Sequence, residues 1–132
     1  MANILIDTNV FLDIILKREK ASDAYDAIAK IIKSRDTALV SSNTLTDIYY
    51  VANRILHNEE LARAAVSFVS DIAKVAAIEK PEIRDALSYD MPDFEDAVIA
   101  AVAKKYNAKC IITNNVKHFK NSPVPVVESG KY

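Results

Sequence analysis

Glycine is almost missing from this sequence. The single glycine, Gly130, stands close to the C-terminal end. Loops that cradle phosphate groups need several glycines, because the backbone has to approach the phosphates closely. The sequence therefore excludes a P-loop and a glycine-rich dinucleotide-binding turn, together with the enzyme classes that depend on these loops.

Cysteine, histidine, long apolar runs and net charge are also scarce. The one cysteine, Cys110, excludes an intrachain disulfide and a cysteine-based zinc cluster, and His57 and His118 lack metal-ligand spacing. No apolar segment approaches the roughly 18 residues of a membrane span, and the first apolar run breaks at Asp7, before a secretory signal core could form. We therefore expect a soluble, cytoplasmic protein. The formal net charge of -1 gives no general attraction to nucleic acid.

What the sequence does contain is an alternation of short apolar strands with amphipathic helices. Strands are predicted at 3–6, 37–41, 74–78, 110–113 and 124–127. The helices between them carry apolar residues at helical spacing, and we expect residues such as Ile32, Leu61 and Phe68 to face inward. This alternation predicts an α/β fold with a mostly parallel sheet covered by helices on both faces. Without repeats or linkers, residues 1–132 are interpreted as one domain.

Three acidic residues stand at or near the ends of predicted elements. Asp7 ends the first strand, Asp47 lies in the first turns of the helix after the second strand, and Asp96 lies in the first turn of a late helix. Ligand sites of parallel sheets form beyond the carboxyl ends of the strands, so the three can converge there. Crowded carboxylates repel one another unless a cation lies among them. Oxygen ligands favour Mg²⁺ or Mn²⁺ over zinc.

Each acid also has a purely structural interpretation. Asp7 could N-cap the helix that begins near Thr8, and Thr44 could form a capping box with Asp47. Capping by Asp93 explains the acids of "DFED" in a similar way. Other polar residues have ordinary expected positions: Asp13 and Glu95 on polar helix faces, His118 in a surface loop, and Tyr49 and Tyr50 in packing rather than base stacking. What capping leaves unexplained is that three acids coincide around one predicted sheet edge.

Together these segments resemble the PIN domain, and within it the VapC-type toxins of bacterial and archaeal toxin-antitoxin pairs. "ILIDTNVFLD" is similar to the opening strand and motif of the family, and "SSNTLTDIYYVANR" resembles its second acidic helix. "DFEDAVIAAVAKKYNAKCIITNNVKHF" is similar to its third acid, the following helix and the Thr-Asn strand end. The resemblance runs through the whole chain.

The resemblance implies a three-layer α/β/α sandwich and a metal-dependent endoribonuclease. Asp7, Asp47 and Asp96 are carried over as the catalytic acids. Asp7 and Asp96 would be the metal ligands, with Asp47 and Asp93 as further candidates. The resemblance also implies that three polar residues orient the ligands and water: Asn9, Thr113 and Asn115. The resemblance also implies an RNA substrate, a cognate antitoxin and a homodimer.

This chain departs from the family pattern at two places. Asp47 stands where the family usually has Glu, and Asn115 and His118 occupy the region where many relatives have a fourth acid. These departures leave open a catalytically weak or silent PIN-like module that binds RNA or protein. A phosphohydrolase of the haloacid dehalogenase type, with Asp7 as nucleophile, is a further alternative, although Asn9 stands where that chemistry needs a second acid.

Overall fold

The computed structural model describes residues 1–132, which form one central sheet with helices on both faces. The strands are β1 (Asn3–Ile6), β2 (Thr37–Ser41), β3 (Lys74–Ala76), β4 (Cys110–Ile112) and β5 (Val126–Val127). The helices are α1 (Thr8–Ile15), α2 (Ala21–Lys33), α3 (Ser42–Leu56), α4 (Glu59–Ile72), α5 (Lys80–Ser88) and α6 (Phe94–Lys105). Short 3-10 turns follow at Val116–Phe119 and Ser129–Lys131.

The sheet has the order β3-β2-β1-β4-β5, and all four strand pairs are parallel. The predicted α/β fold is thereby confirmed, and the sheet is wholly rather than mostly parallel. The strands β3, β4 and β5 are shorter than predicted. β5 is reduced to Val126–Val127 because Pro125 has no N–H to donate, although its carbonyl oxygen still accepts a hydrogen bond from Ile111.

Alternation along the strands divides the core between the two faces of the sheet. On β1, Ile4 and Ile6 pack with α1, α2, α3 and α4, whereas Leu5 packs with α6 on the opposite face. All three side chains are fully buried, and each contributes about 1.5–3 kcal/mol relative to an exposed position. These layers form the expected α/β/α sandwich and fix the end of β1.

Several apolar residues that were predicted to face inward are exposed. Ile32 is 55% exposed, Leu61 52% and Phe68 44%, although each continues the apolar periodicity of its helix. Ala62, Ala65 and Val69 form the buried side of α4 instead. Ile32 and Phe68 belong to an apolar surface that we call the α1–α2–α4 groove, which is lined by Ile14, Tyr25, Ile28, Ala29, Ile32, Phe68 and Ile72.

No helix combines the length and the apolar character that crossing a bilayer requires.

Candidate active site

Asp7 lies at the junction of β1 and α1, where it is almost completely buried, with 4% exposure. Its backbone N–H donates to the carbonyl oxygen of Ile112 on β4 at 2.9 Å. Its Oδ1 atom accepts from the backbone N–H of Thr8 at 2.9 Å, so Asp7 is the N-cap of α1. The capping interpretation is therefore correct, but it does not compete with a role in a site, because the same carboxylate also faces a cleft.

Two side chains hold the second oxygen of Asp7. Oδ2 accepts from Thr113 Oγ1 at 2.8 Å and from Asn9 Nδ2 at 2.8 Å. Burial raises the pKa of Asp7 above its ordinary value, and the hydrogen bonds from Thr113, Thr8 and Asn9 oppose that rise. The predicted orienting residues Asn9 and Thr113 thus contact the predicted ligand directly.

Asp96 reaches the same cleft from the first turn of α6. Burial raises its pKa to about 7, and the negative charges of Asp7 and Asp93 add to the effect. Asp93 is the N-cap of α6, where its Oδ1 accepts from the backbone N–H of Asp96 at 3.0 Å. Asp93 does not line the cleft, so the structure gives it a capping contact, and its role as a metal ligand stays a prediction.

Asp47 lies in the second turn of α3 and also lines the cleft. Its pKa is raised by burial and then by the nearby charge of Glu95. The proposed capping box with Thr44 is wrong, because α3 begins earlier, with Ser41 as its N-cap. Thr44 is buried instead, with its Oγ1 3.0 Å from Thr8 Oγ1, a contact that links the first turns of α1 and α3.

Four acids therefore line one cleft, together with Thr8 and Asn9. The complete lining is Asp7, Thr8, Asn9, Leu12, Asn43, Asp47, Tyr50, Val51, Glu95, Asp96 and Ile99. Glu95, which was expected on an ordinary polar face, also lines the cleft. Its position next to Asp96 in the first turn of α6 is the sequence signal that could have identified it as a site residue. Tyr50, expected to be a packing residue, is 71% exposed at this cleft.

A hydrogen-bond network behind Asp7 depends on residues that the sequence does not single out. The backbone N–H of Asn114 donates to Asn9 Oδ1 at 3.1 Å, and its side-chain Nδ2 donates to Asp13 Oδ2 at 2.7 Å. Asn114 Oδ1 accepts from Ser129 Oγ at 2.7 Å. Asp13 is buried, so its assignment to a polar helix face is wrong. The network connects the C-terminal turn to the residue that orients Asp7.

Asn115 contributes to the site through its backbone. Its N–H donates to Thr113 Oγ1 at 3.0 Å, and the Thr113 hydroxyl donates in turn to Asp7 Oδ2. The hydroxyl is thereby oriented with its hydrogen toward the carboxylate. Because the contact comes from the backbone, any residue except proline could make it at position 115. The predicted role of the Asn115 side chain therefore stays a prediction.

His118 lies in the 3-10 turn Val116–Phe119, where its Nδ1 atom is 3.3 Å from Asp96 Oδ2. Its side chain is 57% exposed. His118 is exposed, as expected of a surface residue, but it also contacts Asp96, an acid of the cleft. The local sequence could not indicate this, because the turn after β4 brings His118 back over the first turn of α6.

The acids of the cleft fit a divalent cation. None of Asp7, Asp47 and Asp96 forms an ion pair with lysine or arginine, and burial is the main cause that raises the pKa of each, so a cation among them would stabilise their ionised forms. No group of three His, Cys, Asp or Glu side chains is already spaced to hold an ion by itself. Mg²⁺ is commonly bound through one or two carboxylates and keeps several waters.

Comparison with known proteins agrees with this architecture. The PIN domain family model matches residues 3–117. Ribonuclease VapC1 from Aquifex aeolicus (strain VF5) is 26% identical over 136 residues, which cover 98% of this chain and 92% of that protein.

Solved structures share the fold. The crystal structure of VapBC2 from Rickettsia felis, bound to a DNA fragment from their promoter, matches with a TM-score of 0.77 at 18% identity, covering 96% of this chain and 98% of the other. A toxin-antitoxin complex from Klebsiella pneumoniae matches with a TM-score of 0.69 at 24% identity, covering 98% of this chain and 99% of the other. With the family model spanning most of the sequence, the predicted resemblance is confirmed, and this chain belongs to the PIN domain family.

Proposed function

We propose that this chain is a metal-dependent endoribonuclease that hydrolyses phosphodiester bonds of RNA, and that it is the toxin of a toxin-antitoxin pair. The observation that carries the proposal is the convergence of Asp7, Asp47 and Asp96 on one cleft, each with a raised pKa and without a lysine or arginine partner. The relative named Ribonuclease VapC1 supports the choice of RNA over other phosphodiesters.

Asp7 and Asp96 are the residues that would hold Mg²⁺ or Mn²⁺. Such an ion supplies a Lewis acid that polarises a phosphate oxygen and lowers the pKa of a bound water. Asp7 is suited to this position because Thr8, Asn9 and Thr113 fix both of its oxygens. A ligand that is held by such contacts needs little reorganisation when the site fills.

Asp47 is suited to hold the attacking water and to accept its proton. Its carboxylate lines the cleft without a hydrogen-bond donor that fixes it, and its raised pKa makes it a stronger base than an ordinary aspartate. Its side chain is one methylene shorter than the glutamate of the family pattern, so contact through water is the expected mode. Thr113 and Asn9 keep Asp7 in place while this proton moves.

Tyr50 supports RNA as the substrate. Its ring is exposed at the cleft and lies edge-on to Tyr49, with the ring centroids 5.8 Å apart. An exposed aromatic face beside a hydrolytic site is suited to stack an unpaired base, and single-stranded or looped RNA offers such bases. The expected place of action is the cytoplasm, where RNA of this kind is present.

The function is tested by cleavage of a fluorescent single-stranded RNA in the presence of Mn²⁺. The native chain should cut the RNA, and Asp7→Asn, which keeps the shape of the side chain, should lower the rate by at least about 100-fold, or about 2.7 kcal/mol of activation free energy. Asp71→Asn, at an exposed position of α4, is the matched control. Equal rates for the native chain and Asp7→Asn would refute the proposal.

The antitoxin is the second part of the proposal. The α1–α2–α4 groove exposes Tyr25, Ile32 and Phe68 on one apolar surface, and a matching structure is described as a toxin-antitoxin complex. An amphipathic segment of the antitoxin would cover this groove with its apolar face.

Growth of cells that express the toxin together with its antitoxin tests this part. Phe68→Lys should prevent neutralisation by the antitoxin while leaving RNA cleavage intact. Leu87→Lys, on α5 and also exposed to solvent, should still be neutralised. Neutralisation of both variants alike would exclude the groove. Homodimerisation remains a prediction from the resemblance, to be measured by light scattering of the purified chain.

The catalytically silent module remains the alternative. The contact of His118 with Asp96 favours it, because the imidazole already occupies one side of an acid that a metal needs. Mn²⁺ titration separates the two functions, since the silent module binds RNA or protein without binding the metal. The family match favours the nuclease over the haloacid dehalogenase-type phosphohydrolase.

A further inference from the structure

His118 is the one nitrogen ligand within reach of the acidic cleft. Its Nδ1 atom lies 3.3 Å from Asp96 Oδ2. The 3-10 turn that carries it is anchored by Phe119, which is 3% exposed and packs in the core with α6. The fold therefore fixes the backbone of the turn that carries His118 next to α6.

The spacing between the two atoms matches that of neighbouring ligands on one metal ion. Adjacent ligand atoms at about 2.1 Å from an octahedral ion are about 3.0 Å apart. Around a tetrahedral ion with the same bond length they are about 3.4 Å apart. The observed 3.3 Å between Nδ1 and Oδ2 lies between these values. The separation of the two atoms is therefore compatible with both binding one ion.

We propose that His118 Nδ1 is a direct ligand of the metal ion in this cleft, together with Asp96, and that this nitrogen makes the site prefer Mn²⁺ over Mg²⁺. The inference rests on the proposed metal-dependent function and deepens it. Imidazole suits transition-metal ions, whereas Mg²⁺ prefers oxygen ligands and water. The oxygen-only ligand set that the sequence suggests is therefore replaced by a mixed one.

The competing arrangement is a simple ion pair, in which protonated His118 occupies the place of the metal. The two arrangements predict opposite effects of removing the imidazole. If His118 is a ligand, its removal weakens metal binding. If it is a competing cation, its removal strengthens metal binding. Metal binding, measured without RNA, therefore decides between them.

Calorimetric titration with Mn²⁺ and with Mg²⁺ tests the preference directly. His118→Ala should weaken Mn²⁺ binding by at least about tenfold, since loss of an outer contact to a metal ligand already has that effect, and it should change Mg²⁺ binding less. His118→Asp should strengthen Mg²⁺ binding relative to the native chain. His57→Asn is the matched control, because His57 has a left-handed φ of 51° that asparagine tolerates.

Nuclear magnetic resonance gives a second measurement that does not depend on affinity. The chain has only two histidines, so the imidazole nitrogens of His57 and His118 give four resonances. With Zn²⁺ as a diamagnetic probe, the Nδ1 resonance of His118 should move to the position of a metal-bound nitrogen while both His57 resonances stay in place. An unchanged Nδ1 resonance in the metal-loaded protein would overturn the proposal.

The variants separate failure of this inference from failure of the proposed function. If Asp7→Asn abolishes Mn²⁺ binding while His118→Ala binds Mn²⁺ as tightly as the native chain or more tightly, only the inference about His118 is wrong. If the native chain binds no Mn²⁺, both proposals fail. If Asp7→Asn binds Mn²⁺ as tightly as the native chain while His118→Ala binds it more weakly, the role of Asp7 in the proposed function is wrong and the inference about His118 stands. Circular dichroism checks that each variant is folded. We expect the His118 variants to fold, because the side chain of His118 is exposed.

Discussion

Replacing Asp96 with asparagine should stabilise the metal-free protein at neutral and alkaline pH. The folded state raises the pKa of Asp96 to about 7, from an ordinary value of 3.8. The native state therefore binds more protons than the unfolded state between these values, and its stability falls as the pH rises through that window. The Asp96→Asn substitution keeps the shape of the side chain and removes its charge.

The magnitude follows from the shift in pKa. A rise of about 3 units corresponds to about 4 kcal/mol. Solvent reaches the half-buried carboxylate, which lessens both the cost of its burial and the repulsion from Asp7 and Asp93, and reduces the effect to about 2 kcal/mol. Loss of a negative charge from the first turn of α6 removes about 0.5 kcal/mol of favourable interaction with the helix dipole. The net gain at pH 8 should therefore be about 1.5 kcal/mol.

Urea unfolding of both chains in EDTA at several pH values measures this gain. The difference in unfolding free energy should be small at pH 4, grow as the pH rises toward 7, and then level off. Asp71→Asn, which changes an exposed aspartate on α4, should show no such pH dependence. Added Mn²⁺ should reverse the order, because the native chain gains stability from binding and the variant loses a ligand. A difference that is independent of pH would refute the reasoning that burial and neighbouring acids destabilise the ionised form of Asp96.

Three further substitutions test other parts of the site. Thr113→Val removes the hydroxyl that donates to Asp7 and should lower the unfolding free energy by about 1.5–3 kcal/mol in urea titrations, whereas Thr46→Val, at an exposed position, should change it little. Asp93→Ser keeps an N-cap oxygen and should leave calorimetric Mn²⁺ affinity unchanged; weaker binding would assign Asp93 to the metal. Tyr50→Ala should weaken RNA binding in fluorescence anisotropy by about 1–3 kcal/mol, and an unaltered affinity would exclude stacking.

The strands and helices could be predicted from the sequence because their periodicity is local. The apolar runs before Asp7 and Thr113 indicate buried strands, and a parallel sheet brings the ends of β1 and β4 to the same edge. That argument places both residues at one edge of the sheet. The pairing of β1 with β4, which the sequence does not predict, makes them neighbours that are hydrogen-bonded at 2.8 Å.

The exposure of Ile32 and Phe68 could not be predicted in the same way. Periodicity identifies an apolar helix face, but it does not distinguish a face that packs in the core from one that a second protein covers. Both residues lie on the α1–α2–α4 groove.

Side chains that depend on tertiary contacts were also beyond prediction. Asp13 is buried because Asn114, distant in sequence, satisfies its carboxylate. His118 reaches Asp96 because a 3-10 turn places it over α6. Neither contact has a spacing signal in the sequence, and each requires the positions of two elements to be known.

The most direct test of the proposed function is anomalous diffraction from crystals of the native chain soaked in Mn²⁺. The ion should give one dominant anomalous peak within bonding distance of the Asp7 and Asp96 carboxylates, and the peak should be lost in Asp7→Asn crystals. An empty cleft in soaked crystals, together with RNA cleavage that persists in EDTA, would contradict a metal-dependent nuclease.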